Sequence, residues 1–229
     1  MSDICDKLQT VHARIDAATR QSRRDPHSIQ LLAVSKTWPA AAVREAWHCG
    51  QRAFGENYVD ELIEKARSLA DLDIEWHYIG HLQSNKSRAV AEHAHWMHSI
   101  DRYRIAQRLS AQRGAVRPPL QVCLQINLSG EASKSGVAPD QALALLHKIR
   151  ELPNLTLRGL MAIPEPSADF TAQCAAFAQL RELREAANQA GLGLDTLSMG
   201  MSGDLEAAVA EGSTLVRIGT AIFGERHAR

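Results

Sequence analysis

A lysine at the tip of an apolar run opens the chemistry of this chain. In "IQLLAVSKTWP", Ile29 to Pro39, the run ends at Lys36. The chain has six lysines against twenty arginines, so a lysine at this point departs from its habit. Such an amine either snorkels to water or stays partly desolvated. In the second case its neutral form forms Schiff bases with carbonyl compounds. Two loops bear on the choice. "SMGMSGD" places Ser198, Gly200, Ser202 and Gly203 before the helical run Asp204–Glu211, with Ser202 as its expected N-cap and Gly212 just past its end. "VRIGTAIFG" places Gly219 and Thr220 after an apolar run that includes Arg217. Glycine lets backbone N–H groups approach an anion, serine adds a hydroxyl, and a helix start carries partial positive charge. Each loop alone reads equally well as ordinary capping and turning. Together they favour phosphate, and with Lys36 they point to a phosphorylated aldehyde held as an imine.

The elements that must position these residues follow from periodicity. Ile4, Leu8, Val11, Ile15 and Ala18 recur at spacings of four and three, which predicts an amphipathic helix over Asp3–Arg23. Short apolar runs predict strands at 31–35, 52–56, 75–79, 96–99, 120–126, 156–161, 196–197 and 215–218. Helical patterns separate them at 39–49, 59–69, 86–93, 102–113, 139–151, 170–189 and 204–211. Strands alternating with single helices mean βαβ units and a parallel sheet. Eight of them predict an α/β fold, a (β/α)8 TIM barrel, in one domain spanning 1–229 with an extra N-terminal helix. A doubly wound open sheet is the competitor, but its GxGxxG mark is replaced by "SKTWP" after the first strand.

A barrel gathers its chemistry at the C-terminal strand ends. The strands deliver there Lys36, then Glu56 and Asn57, then Gly80, His81 and Gln83, then Asn127, Met161, the "SMGMSGD" loop and Arg217. His77 and His81 share one side of an extended chain, but no carboxylate accompanies them in the motif. His93, His95 and His98 do not share a helical face and read as packed or solvated. No metal site is expected.

Formal net charge is zero at pH 7, which excludes a basic footprint for nucleic acid and a polybasic membrane patch. Cys5, Cys49, Cys123 and Cys174 are scattered without a CxxC pair. That argues against cysteine-bound zinc and a disulfide framework, and for a reducing compartment. "MSDICDKLQT" carries charges where a signal peptide needs an apolar core. The expectation is a cytoplasmic protein with no membrane span.

"LLAVSKT", "RAFGENYVDEL", "WHYIGHLQSNK", "INLSGEASKSG", "LRGLMAIP" and "LSMGMSGDLEAAVAEGSTLVRIGTAIFGER" together resemble the pyridoxal phosphate homeostasis proteins, from about residue 30 to 226. The resemblance implies a barrel similar to the N-terminal domain of alanine racemase. It also implies pyridoxal 5′-phosphate as cofactor, held as a Schiff base on Lys36. Ser202, Gly219 and Thr220 would hold its phosphate, and Arg217 would face its pyridine nitrogen. Asn57 and Met199 would line it, with His81 nearby and Lys134 as the basic residue of "SGEASKSG". Some family members carry a second lysine where Trp38 stands here, so a relay between two lysines cannot operate. A racemase of this fold needs a further β domain, and only "ERHAR" follows Gly224. A guanidinium opposite the pyridine nitrogen keeps the ring unprotonated and weakens it as an electron sink. The implied role is therefore a non-enzymatic, monomeric binder in vitamin B6 homeostasis, with apo-enzymes as transient recipients. A racemase or decarboxylase of low activity is the alternative. A barrel that binds another phosphorylated metabolite without an imine is a third reading.

Overall fold

A computed structural model describes residues 3–131 and 135–225; Lys134 lies outside the described residues. The eight strands are β1 (Gln30–Val34), β2 (Ala53–Glu56), β3 (Glu75–Tyr78), β4 (Trp96–Ile100), β5 (Leu120–Gln125), β6 (Leu155–Met161), β7 (Thr196–Ser198) and β8 (Leu215–Ile218). All pair in parallel in chain order, and β8 returns to β1 through the register Gln30↔Leu215 to Ala33↔Ile218. That closing pair excludes the open sheet. The helices are α1 (Asp3–Gln21), α2 (Ala40–His48), α3 (Val59–Ser68), α4 (Ser87–His93), α5 (Tyr103–Arg113), α6 (Pro139–Arg150), α7 (Phe170–Gln189), α8 (Leu205–Ala210) and α9 (Thr220–Phe223). The short α9 has no counterpart among the predicted elements, since four residues are too few for a periodicity.

Strands buried on both faces read as continuous apolar runs, which is why the eight were visible. The outward residues, such as Ala33, Phe54, Met97, Leu124 and Leu197, join one large cluster with the helices. Inward residues form separate small clusters, Leu32 with Ala53 and Leu215, and Trp96 with Cys123 and Met161. Interior barrel layers are usually bulky and branched. Here polar groups join the layers, because His77, His98, Ser198 and Arg217 are buried and linked to one another.

Helix α1 buries Leu8, Val11, Ile15 and Ala18 against the barrel and packs on α2, α8 and α9. The cysteines depart from the expectation of scattered thiols. Cys5 near the start of α1 and Cys49 at the C-cap of α2 form a disulfide, with Cα atoms 5.3 Å apart. A sequence separation of 44 residues hides this pair; only the packing of α1 on α2 makes it. Among the described residues, no helix is long and apolar enough to cross a membrane.

Candidate functional site

At the C-terminal strand ends lies a cavity of about 260 Å³. Six of the expected residues line it: Lys36, Asn57, Ser202, Arg217, Gly219 and Thr220. Among the described residues that line it, Lys36 and Arg217 are the only charged side chains, and both are basic. Such a wall suits an anion.

The backbone around Lys36 is anchored on both sides. Ser35 N donates to Gly55 O at 3.0 Å and Ser35 Oγ to Glu56 Oε1 at 2.6 Å. Lys65 Nζ donates to Ser35 O at 2.8 Å and to Glu56 Oε1 at 2.7 Å. Beyond Lys36, Thr37 N donates to Glu61 Oε2 at 2.7 Å. Thr37 adopts φ +69°, a left-handed conformation that a β-branched residue rarely takes. Strain of this kind persists only where surrounding bonds hold it. Here Glu61 holds it, and α2 starts one residue past Pro39 rather than at it. Glu56 is fully buried, and burial pushes its carboxyl up to about 7 against the pull of Lys65. Sequence reading missed Glu61 and Lys65, because the groups they hold, Thr37 N, Ser35 O and Glu56, lie outside their own helix.

Arg217 is 4% exposed. Its Nη1 donates to Ser198 O and Oγ at 2.6 and 2.7 Å, and its Nη2 to Ala162 O at 2.9 Å. Burial lowers its pKa to about 10, so it stays protonated at neutral pH.

After β7, beside β8, Ser202 and Gly203 lie in a turn, and their amides donate to no acceptor among the described residues. The expected N-cap role of Ser202 is corrected: Asp204 occupies that position, and its Oδ1 accepts from Met201 N at 2.5 Å. Ser202 O instead accepts from Arg14 Nη2 of α1 at 3.1 Å. Gly219 passes close to β1, and a Cβ there would sit 3.1 Å from Val34 O. Asn57 Oδ1 is buried without a hydrogen-bond partner among the described residues.

Two expectations shift. Met199 does not line the cavity; it is fully buried in the outer core and Met201 takes its place. Strand parity explains this, because Ser198 faces inward and its neighbour must face out. His81 lines an adjacent cavity that shares Asn57 with the first. Its Nδ1 is 3.3 Å from Asp101 Oδ2. His77 does have a carboxylate, Glu75 Oε1 at 2.6 Å from its Nε2.

Residues 7–227 match the family model described as alanine racemase, N-terminal domain. The pyridoxal phosphate homeostasis protein of Pseudomonas aeruginosa is 62% identical over 226 residues, covering 99% of this chain and 97% of its own. The protein of the same name from Escherichia coli is 52% identical, covering 99% and 98%. PipY of Synechococcus elongatus, solved with PLP bound, superposes with a TM-score of 0.83 at 40% identity, covering 96% of this chain and all of that one. An alanine racemase from Clostridium difficile, 12% identical with a TM-score of 0.71, shares the fold. With a family model matched over residues 7–227 and relatives 52% and 62% identical over 99% of the chain, the chain belongs to the pyridoxal phosphate homeostasis proteins of the alanine racemase N-terminal domain family.

Proposed function

We propose that this barrel, as one domain over 1–229, binds pyridoxal 5′-phosphate reversibly and serves intracellular vitamin B6 homeostasis without catalysing amino-acid chemistry. One observation carries the reading: a strand-end lysine and two glycine-bearing loops with spare amides and hydroxyls line the same cavity. PipY, a relative of like length, has been solved with PLP bound. When bound, the cofactor supplies an aldehyde with which Lys36 Nζ condenses, losing one water. Ser202, Gly203, Gly219 and Thr220 would take the phosphate, and Asn57 would offer an acceptor at the rim. Arg217, which only donates, would face the ring nitrogen and favour its unprotonated form.

The case against an enzyme rests on proton bookkeeping. Racemisation needs groups that take and return a proton on opposite faces of the α-carbon. Among the described lining residues only Lys36 and Arg217 carry ionisable groups, and Arg217 stays protonated. The role left is storage and release: an incoming amine displaces Lys36, and apo-enzymes are the recipients. In this reading the protein works as a cytoplasmic monomer.

Borohydride reduction with PLP, followed by peptide mapping, tests the site. The expected result is one pyridoxyl label per chain on Lys36, lost in Lys36→Ala. Label spread over Lys7, Lys86 and Lys148, or no label, overturns the cofactor reading. Incubation of the loaded protein with alanine, lysine and ornithine in D₂O tests the second half. No exchange at the α-proton is expected, and turnover would establish an enzyme.

A further inference from the structure

The interior of the barrel holds a chain of polar side chains of which the cavity lining includes Arg217 alone among the described residues. Glu75 Oε1 lies 2.6 Å from His77 Nε2, and His77 Nδ1 lies 2.9 Å from His98 Nε2. His98 Nδ1 is 2.7 Å from Ser198 Oγ, which is 2.7 Å from Arg217 Nη1. Glu75 opens β3, so it sits at the N-terminal mouth of the barrel, and Arg217 lines the cavity at the other mouth. The chain therefore crosses the interior from mouth to mouth through β3, β4, β7 and β8.

Counting hydrogens gives the chain a direction. A guanidinium only donates, so Ser198 Oγ accepts from Arg217. An ionised carboxylate only accepts. The bond from His77 holds the Glu75 carboxyl down at about 2, and Gln30 Nε2 donates to the same oxygen at 3.1 Å. His77 must then donate from Nε2. Burial lowers the pKa of both imidazoles, so at neutral pH each is neutral and has one N–H. His77 Nδ1 thus accepts, His98 Nε2 donates, and His98 Nδ1 accepts the Ser198 hydroxyl proton. Every hydrogen in the chain faces Glu75. The rings are also held by packing, since His77 stacks on Trp96 at 5.4 Å with 6° between planes. Bonds aligned in one sense in a buried setting polarise one another.

We infer that Glu75, His77, His98 and Ser198 are positioning residues for Arg217, a one-way chain that fixes the guanidinium opposite the ring nitrogen of the bound cofactor and ties its charge to the carboxylate at the far mouth. The inference rests on the cofactor reading above and deepens it. It assigns a binding role to residues that touch no ligand, and it makes the lower mouth of the barrel part of cofactor recognition.

Two measurements test it. The first needs no cofactor: ¹⁵N imidazole NMR of the full chain at neutral pH. Both His77 and His98 should be neutral and protonated on Nε2, and Glu75→Gln should shift the ring nitrogens of His98 as well as those of His77. An imidazolium at either site, an Nδ1–H form of His98, or a His98 signal unmoved by Glu75→Gln overturns the chain. The second is PLP titration by absorbance. Glu75→Gln should weaken binding about threefold to tenfold and move the band of the bound cofactor. Its effect should vanish in a Ser198→Ala background, where the chain is cut but Arg217 keeps its bond to Ser198 O. Unchanged affinity and band in Glu75→Gln, or an effect that persists in full beside Ser198→Ala, overturns the coupling. Glu75 is more than a third exposed, so its variant should fold. If wild type takes no label on Lys36, the cofactor reading falls by itself, and the NMR experiment still decides the chain.

Discussion

Lys65 is a lysine that does no chemistry with a ligand and still decides the site. Its ammonium is buried between Glu56, Glu61 and the carbonyl of Ser35. Removing one partner of a buried pair leaves the other charge uncompensated, at a cost of about 3–5 kcal/mol. Lys65→Met should lower the urea midpoint accordingly, and Lys65→Met with Glu56→Gln should recover much of the loss. Unchanged stability in the single variant would mean that the pair is not formed. Glu75 gives a pH signature with a definite sign. Its folded pKa is depressed from 4.5 to about 2 by the bond from His77. A depressed carboxylate stabilises the fold above the unfolded value and loses that contribution as pH falls. Urea midpoints should therefore drop between about pH 4.5 and pH 2, more in wild type than in Glu75→Gln. Glu56 works in the opposite sense. Burial raises its pKa, so its cost grows as pH rises from 4.5 to about 7. Lys36, Ser202, Arg217, Gly219 and Thr220 were legible in the sequence because their residue types at strand ends announce chemistry. His98 was not, because a histidine between apolar residues reads as packing until its partners on other strands are known.

At the scale of elements, the ends of β2 and β3 approach closely where Gly80 meets Asn57. A Cβ on Gly80 would overlap the carbonyl of Asn57. Gly80→Ala should push the two strand ends apart and displace Asn57 from the cavity rim. A loss of about 1–3 kcal/mol in stability is expected with it, together with weaker PLP binding. Wild-type affinity in a folded Gly80→Ala protein would show that Asn57 plays no part. The strands and the longer helices were readable from periodicity to within a residue or two. The caps were not: Asp204, not Ser202, stands at the head of α8, and Pro39 is the N-cap of α2 rather than its first residue. Caps are settled by where the chain must turn to close the barrel, and a local pattern does not contain that.

Across the whole molecule, α1 acts as a strap. Its Arg14 reaches Ser202 O and forks onto Glu206, and Cys5 ties it to the end of α2. The same helix thereby touches the element that follows Lys36 and the turn proposed for phosphate. Closing a loop of 44 residues by a disulfide contributes about 2–4 kcal/mol. Reductant should lower the urea midpoint of wild type and leave Cys5→Ser unchanged; equal sensitivity in both would exclude the bond as the cause. In a cytoplasm this bond would be open to reduction, so the cysteine pattern loses its force as a guide to compartment. The sequence by itself determined eight parallel strands, an extra helix, and a strand-end lysine and glycine-bearing loops gathered at one rim. Those features depend on local composition and period, which a single chain displays directly. The tertiary structure decided which residues share the cavity, which way Met199 faces, the Cys5–Cys49 pair and the line of hydrogen bonds from Glu75 to Arg217. Each of these depends on the inward or outward parity of strands, or the packing of helices, that are distant in sequence, and only barrel closure brings them into contact.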